Sequence, residues 1–218
     1  MRSGVESQVV IVGTGGHAVS VADAALSSGH SVLGFYSPDG RVTRTLPAET
    51  LTTLDSIDFG SVFLVHGIGT NHQREDAWNS ISQRYTDAQW ALVVHSTAWV
   101  SPQSVVEEGA VLLAHTSVGP GCVVKHGALL NTGSSLDHDS TLGRFGSLGP
   151  GARTGGGVHI GERTMVGMQA SVLQEVTIGS DSVIGAHSLV NKHVEDNAVT
   201  WGTPAKIVRS RSREEPYF

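Results

Sequence analysis

The chain of 218 residues has a single cysteine, Cys122, which excludes a disulfide framework and a multi-cysteine zinc site. No apolar run approaches the ~20 residues of a membrane-spanning helix. The N-terminus lacks a basic stretch followed by an apolar one, so the expected location is the cytoplasm. A basic surplus is also missing: the net charge is -6, which argues against nucleic-acid binding and gives no reason to expect a membrane surface as partner. Aromatic residues make up only 6%. Apolar residues reach 39%, enough to bury a core and to exclude a disordered chain. Glycine is plentiful at 27 residues, about 12% against a usual ~7%. Much glycine with few aromatics implies a repetitive backbone carrying small side chains.

Residues 8 to 92 alternate between strand and helix patterns. Gln8-Val-Val-Ile-Val-Gly13 is a short apolar run that ends in Gly13-Thr14-Gly15-Gly16. Ala18, Val21, Ala22, Ala25 and Leu26 then follow helical spacing, stopped by Gly29. Ser31 to Tyr36 reads as a second strand and Ser61 to His66 as a third, with a helix expected over residues 72 to 85. Strands alternating with helices imply a small parallel, Rossmann-like α/β sheet with crossovers.

From Val94 the period changes to six. At every sixth residue from 94 to 190, sixteen of seventeen positions are aliphatic, and only Thr154 breaks the series. Two residues earlier the side chain is small at most positions, as at Ala110, Cys122 and Ser140. One residue later, glycine recurs at 119, 143, 149, 155, 161, 167, 179 and 185. A period of six fits a solenoid of short strands and sharp corners, three hexapeptides to each 18-residue coil. The aliphatic residue and the small one before it should point inward, because strand side chains alternate. The glycines after it are expected to supply corner backbone angles closed to other residues. The organisation expected is therefore residues 1–92 as one domain and 93–218 as the other.

This hexapeptide pattern resembles the left-handed β-helix acyltransferases over residues 94 to 206. The whole chain resembles one subgroup, the bacterial sugar acetyltransferases with a small N-terminal nucleotide-sugar-binding domain. Four segments carry the likeness: Val12 to Ala18, Gly69 to Arg74, Asn131 to Asp139 and Trp201 to Lys206. The subgroup includes UDP-4-amino-sugar N-acetyltransferases and sialic acid O-acetyltransferases. Left-handedness, acetyl-CoA as co-substrate and a homotrimer with its active site between subunits are implications of this resemblance.

Asp137-His138-Asp139 lies at a corner just after inward Leu136. A histidine is largely neutral at pH 7 and accepts a proton, and a carboxylate beside it raises its basicity. His138 is thus the candidate general base, with Asp139 or Asp137 to orient it. One coil onward stand Gly155, Gly156 and Gly157, whose small size should leave room for a ligand and whose amides could meet a developing oxyanion. By resemblance, Ser147 stands where related enzymes have a second histidine on the acetyl carbonyl. The coenzyme A groove would use Gly155, Gly156, Gly167, Met168, Gly185 and Ala186. Lys206, Arg209, Arg211 and Arg213 form a basic end that could meet the coenzyme's phosphates or simply be solvated.

At the other end, Gly13, Gly15, Gly16 and His17 follow a strand and open a helix, where amide donors suit phosphates. Gly69, Thr70, Asn71 and Arg74 follow another strand end. Ser37 and Asp39 stand where related proteins carry acidic residues for the nucleoside. No metal is expected: three zinc-binding histidines would need a pair five residues apart, and residues 94–190 contain none. The function expected is N-acetylation of a nucleotide-linked amino sugar, with O-acetylation of a sugar hydroxyl or a non-catalytic scaffold as alternatives.

Overall fold

A computed structural model of the protein describes residues 7–42 and 44–217. Four parallel strands form the first sheet: β1 (Gln8–Val12), β2 (Ser31–Tyr36), β3 (Thr50–Leu51) and β4 (Val62–His66), in the order β3-β2-β1-β4. Helix α1 (Gly16–Ser27) follows β1 and α2 (Asn71–Arg84) follows β4. The run Val9 to Val12 is buried on both faces, which is why it reads as continuous rather than alternating. One face, with Val9, Ile11 and Phe35, packs on α1; the other, with Val10, Val12 and Leu64, packs towards Ile81 of α2. Among the described residues no helix is long and apolar enough to cross a membrane.

From Val93 the chain winds into a prism of two-residue strands in a strict 18-residue register, as in Val93↔Val111 and Leu129↔Ser147. The aliphatic series fills its axis: Leu112, Val124, Leu136, Leu148 and Val166 are all buried, with Ala110, Cys122 and Ala152 beside them. The outward residues of the first three rungs of one face, Val93, Val111 and Leu129, are apolar too, because α1 lies against them.

The glycines one position after each aliphatic residue do not take the corner angles expected of them. Positive φ falls two residues later still, at Gly121, Gly127, Gly133, Gly151 and Gly157 and also at Asp139, Phe145, Arg163 and His187. The glycine position is instead a point of coil-on-coil contact. A Cβ on Gly161 would lie 2.5 Å from the Ser180 nitrogen, and one on Gly143 would lie 2.7 Å from the Gly161 carbonyl carbon. Close backbone approach, rather than φ, excludes side chains there.

Between the two parts lies an aromatic stack. His66, at the end of β4, sits 4.0 Å from Trp90, which stacks on Trp78 at 4.6 Å, with Phe145 of a solenoid corner edge-on to both His66 and Trp78. Neither ring nitrogen of His66 has a hydrogen-bond partner among the described residues, and burial pushes its pKa well below the ordinary histidine value. Half-buried His17 is lowered to about 4, by burial first and by Arg74 second. The unfolded chain binds protons at these residues near the ordinary value of ~6.5, whereas the folded chain refuses them. Stability is therefore present above about pH 6.5 and lost as pH falls towards 4. Urea midpoints at pH 7 and pH 5 should show this loss, and His66→Phe should flatten it; equal acid losses in both proteins would remove His66 as a cause.

Candidate active site

The corner that carries Asp137, His138 and Asp139 is fixed from both neighbouring coils. Thr154, the one break in the aliphatic series, turns its hydroxyl oxygen to accept the Asp137 N–H at 3.0 Å. From the coil before, the Cys122 thiol donates to the Asp137 carbonyl, and from the coil after, the Gly157 N–H donates to the His138 carbonyl at 2.8 Å. Asp137 spends its own carboxylate on the backbone, accepting the His138 N–H at 2.8 Å. The left-handed backbone of Asp139, φ 57°, brings its carboxylate to His138 Nδ1 at 2.8 Å. Asp139 is thus the residue that orients the ring, and Asp137 the one that caps the corner.

A carboxylate only accepts, so in the neutral ring Nδ1 carries the proton and Nε2 keeps its lone pair. The Asp139 hydrogen bond, helped by the charge of Asp137, raises the His138 pKa from its ordinary value. Gly156 lies under the imidazole: a Cβ there would fall 2.3 Å from Cε1 and Nε2. The space expected for a ligand above these glycines is therefore filled by the histidine ring itself. The Gly155 N–H donates to Val172 and the Gly157 N–H to His138, while the Gly156 N–H has no protein acceptor among the described residues.

The other expected acetyl and coenzyme contacts are dispersed. Ser147 is buried on the face adjoining the sheet domain and gives its hydroxyl to Met165 Sδ at 3.0 Å, away from the His138 corner. Gly167, Met168, Gly185 and Ala186 lie at a different corner of the prism from Gly155 and Gly156, with Met168 half exposed. At the basic end, Arg211 is buried and donates to the carbonyls of Asp181 and Glu215. Arg213 pairs with Glu75 and Asp76, and Arg209 with Glu215. These three arginines tie down the chain's last turns; Lys206 is exposed.

At the carboxyl ends of β1, β2 and β4 opens a cavity of about 410 Å3. Gly13 and Ser37 line it, as expected, and so do Tyr36, Ile68 and, from α2, Ala77, Ser80, Ile81 and Arg84. The α2 residues were not anticipated, although their i, i+3, i+4 spacing marks one helical face. Gly15 has open space where a side chain would be, and Gly16 is exposed beneath the Arg44 guanidinium. The half-buried His17 ring packs against exposed Gly69, with half-buried Thr70 beside it. Asp39 turns away from the cavity: its carboxylate accepts from Ser37 Oγ and the Arg41 N–H and pairs with the Arg41 side chain.

Asn71 and Arg74 do not reach the cavity. Arg74 is fully buried, donating through Nε to the Gly127 carbonyl at 2.8 Å and through Nη2 to the Phe145 carbonyl at 2.8 Å and to Asn71 Oδ1. Its Nη1 holds the carbonyls of Ile68 and Gly69. Asn71 Nδ2 donates to the carbonyls of Arg163 and Thr164, and its N–H donates to the Tyr217 hydroxyl at 2.8 Å. Both residues join the two parts of the molecule, so the expected ligand role gives way to a structural one. Among the described residues no group of three or more His, Cys, Asp or Glu side chains is arranged to hold a metal.

The fold and site define a two-part solenoid protein, an exposed imidazole on a hexapeptide solenoid joined to a parallel sheet with a cavity at its strand ends. Comparisons with known proteins agree. Residues 8–81 match the PglD N-terminal domain and residues 157–192 the bacterial transferase hexapeptide (six repeats). PerB from Caulobacter crescentus, solved with CoA and GDP-perosamine, is 31% identical with a TM-score of 0.83, over 92% of this chain and 96% of that one. The acetyltransferase domain of PglB from Neisseria gonorrhoeae, solved with acetyl coenzyme A, is 27% identical with a TM-score of 0.86, over 93% and 100%. WeeI from Acinetobacter baumannii, at 17% identity and a TM-score of 0.67, shares the fold. No curated protein matches the sequence. The chain belongs to the hexapeptide-repeat sugar acetyltransferases that carry a PglD N-terminal domain.

Proposed function

We propose that this protein transfers the acetyl group of acetyl-CoA to the amine of a nucleotide-linked amino sugar, with His138 as general base. The observation that carries the reading is the His138 Nδ1–Asp139 contact of 2.8 Å, which leaves Nε2 as an exposed proton acceptor. Nε2 takes a proton as the amine attacks the thioester carbonyl. The carbonyl oxygen gains charge that the unengaged Gly156 N–H is available to stabilise. The C–N bond forms, the C–S bond breaks, and the imidazolium returns its proton to the departing thiolate. The bound molecules of PerB and the PglB domain support CoA and a nucleotide amino sugar as substrates.

The site is shared between subunits of a homotrimer in this reading. The parallel sheet and α1 pack against one face of the prism, whereas His138 occupies the corner between the other two faces. The coenzyme contacts are likewise split between two corners. A neighbouring copy brings both pairs of halves together; light scattering should give three times the 22.8 kDa chain mass. The chemistry is tested by supplying acetyl-CoA with a panel of nucleotide amino sugars and free sialic acids. Transfer to at least one nucleotide-linked amine is expected. Transfer to hydroxyls alone would replace this reading with O-acetylation.

A further inference from the structure

We propose that Thr154 is a positioning residue for the transfer: its hydroxyl takes the Asp137 N–H off the ladder between coils and so sets the corner on which His138 and Asp139 meet. The inference rests on His138 as general base and deepens that reading.

The ladder follows one rule along the prism. From His95 to Leu173, the residue after each axial position gives its N–H to the carbonyl of the axial residue one coil on. In the row of corners that carries His138, Ser101 donates to Val118, Gly119 to Leu136, Gly155 to Val172 and Leu173 to Val190, at 2.8 to 3.0 Å. Asp137 is the exception. Its N–H goes to Thr154 Oγ1 at 3.0 Å and not to the Thr154 carbonyl. Strand pairing shortens at the same place. Ser135 and Leu136 both pair with the coil before, but only Ser135 pairs with the coil after, through Arg153.

Thr154 is 8% exposed, in a series whose other members are all aliphatic. A hydroxyl at such a place costs free energy unless it is hydrogen-bonded, and the bond it makes goes to the residue before His138. A valine of the same branched shape would leave the Asp137 N–H the carbonyl that serves the other corners, so the prism itself does not require the hydroxyl. Little else holds this corner from outside its own coil. Gly119 and Gly121 face it from the coil before, and Gly156 lies under the imidazole from the coil after. The side chains that reach it from those coils are the Cys122 thiol, on the Asp137 carbonyl, and the Thr154 hydroxyl, on the Asp137 N–H. Asp139 and Asp137 supply the charge against His138, and the flanking glycines add none. The Asp139 contact with Nδ1 therefore depends on where the backbone of residues 137 to 139 is set.

Thr154→Val and Thr154→Ser test the proposal. Thr154→Val should melt at or above the wild-type temperature, because an aliphatic side chain joins the axis and Asp137 regains a carbonyl. With the best acceptor of the panel its kcat should fall about tenfold, while both Michaelis constants stay within about twofold. Thr154→Ser keeps the oxygen and should recover most of the lost rate. In the His138→Ala background, Thr154→Val should cost nothing further, as required of a residue that acts through the histidine. NMR titration of isotope-labelled histidines, with the His138 signal identified by its absence in His138→Ala, should show the His138 pKa moving down towards its ordinary value in Thr154→Val. A wild-type rate and His138 titration in Thr154→Val would overturn the proposal. So would a fall in Tm with the titration unchanged, or an additive loss in the double variant. A large loss in His138→Ala beside a wild-type rate in Thr154→Val overturns this proposal alone; near-normal turnover in His138→Ala overturns the general-base reading and this proposal with it.

Discussion

His138→Ala should fold and assemble normally and lose a factor of about 10²–10⁴ in kcat, the usual cost of removing a general base. The side chain is exposed and touches little of the core, so stability should hardly move. The loss belongs in kcat rather than in either Michaelis constant, because the proton moves only as the transition state forms. Unprotonated histidine is the active form, so the wild-type rate should rise with pH through an apparent pKa above the ordinary histidine value, in the direction set by Asp139. Asp139→Asn removes the carboxylate acceptor. It should shift that rise to lower pH and reduce the plateau by less than His138→Ala does.

Gly156→Ala should approach the His138→Ala defect without touching the histidine. The new Cβ would occupy the place of Cε1 and Nε2, and the ring is the free end of an exposed side chain, so it swings aside rather than unfolding the coil. Its bond to Asp139 breaks as it does so. Full activity in either purified variant would remove His138 as the base. Gly161→Ala makes a useful contrast: its Cβ meets only the backbone of the next coil, and the expected failure is one of folding.

The six-residue period made the solenoid legible because side-chain direction is what a strand pattern records. Leu112, Leu136 and Val166 lie on the axis where the period puts them. Backbone angle is not recorded in the same way. Left-handed corner positions accept glycine, but also Asp139, Phe145 and Arg163, so the glycine series pointed to a different constraint, the contact between coils. Asp139 at such a position is what separates its role from that of Asp137, and no spacing argument distinguishes the two. Thr154 was visible as an exception, while its purpose, holding the Asp137 N–H from the coil above, needs the stacking. Ser147 was expected near the acetyl carbonyl by resemblance alone, nine residues after His138. Nine residues is half a coil, which carries it to another face.

Arg74 illustrates the limit most directly and gives the largest expected stability effect. Beside Gly69-Thr70-Asn71 it reads as an anion ligand, but its partners Gly127 and Phe145 lie 53 and 71 residues away along the chain. Burial lowers its pKa only to about 10, so it is charged at neutral pH, and among the described residues it has no carboxylate partner. Four carbonyls and the Asn71 amide oxygen solvate the charge instead. Arg74→Met keeps some of the side chain's bulk and strips these acceptors of their donor. By analogy with breaking a buried charge network, the cost should be about 3–5 kcal/mol. For a chain of this size each kcal/mol shifts Tm by about 2–4 °C, so a fall on the order of 10 °C is expected in the ligand-free protein. A phosphate-binding arginine behaves in the opposite way, since removing a cation held ready for an absent anion stabilises the free protein or leaves it unchanged. Melting of ligand-free Arg74→Met thus decides between the two: an unchanged Tm with weakened nucleotide binding would return Arg74 to the ligand site, and a large fall would keep it as the latch between sheet and solenoid.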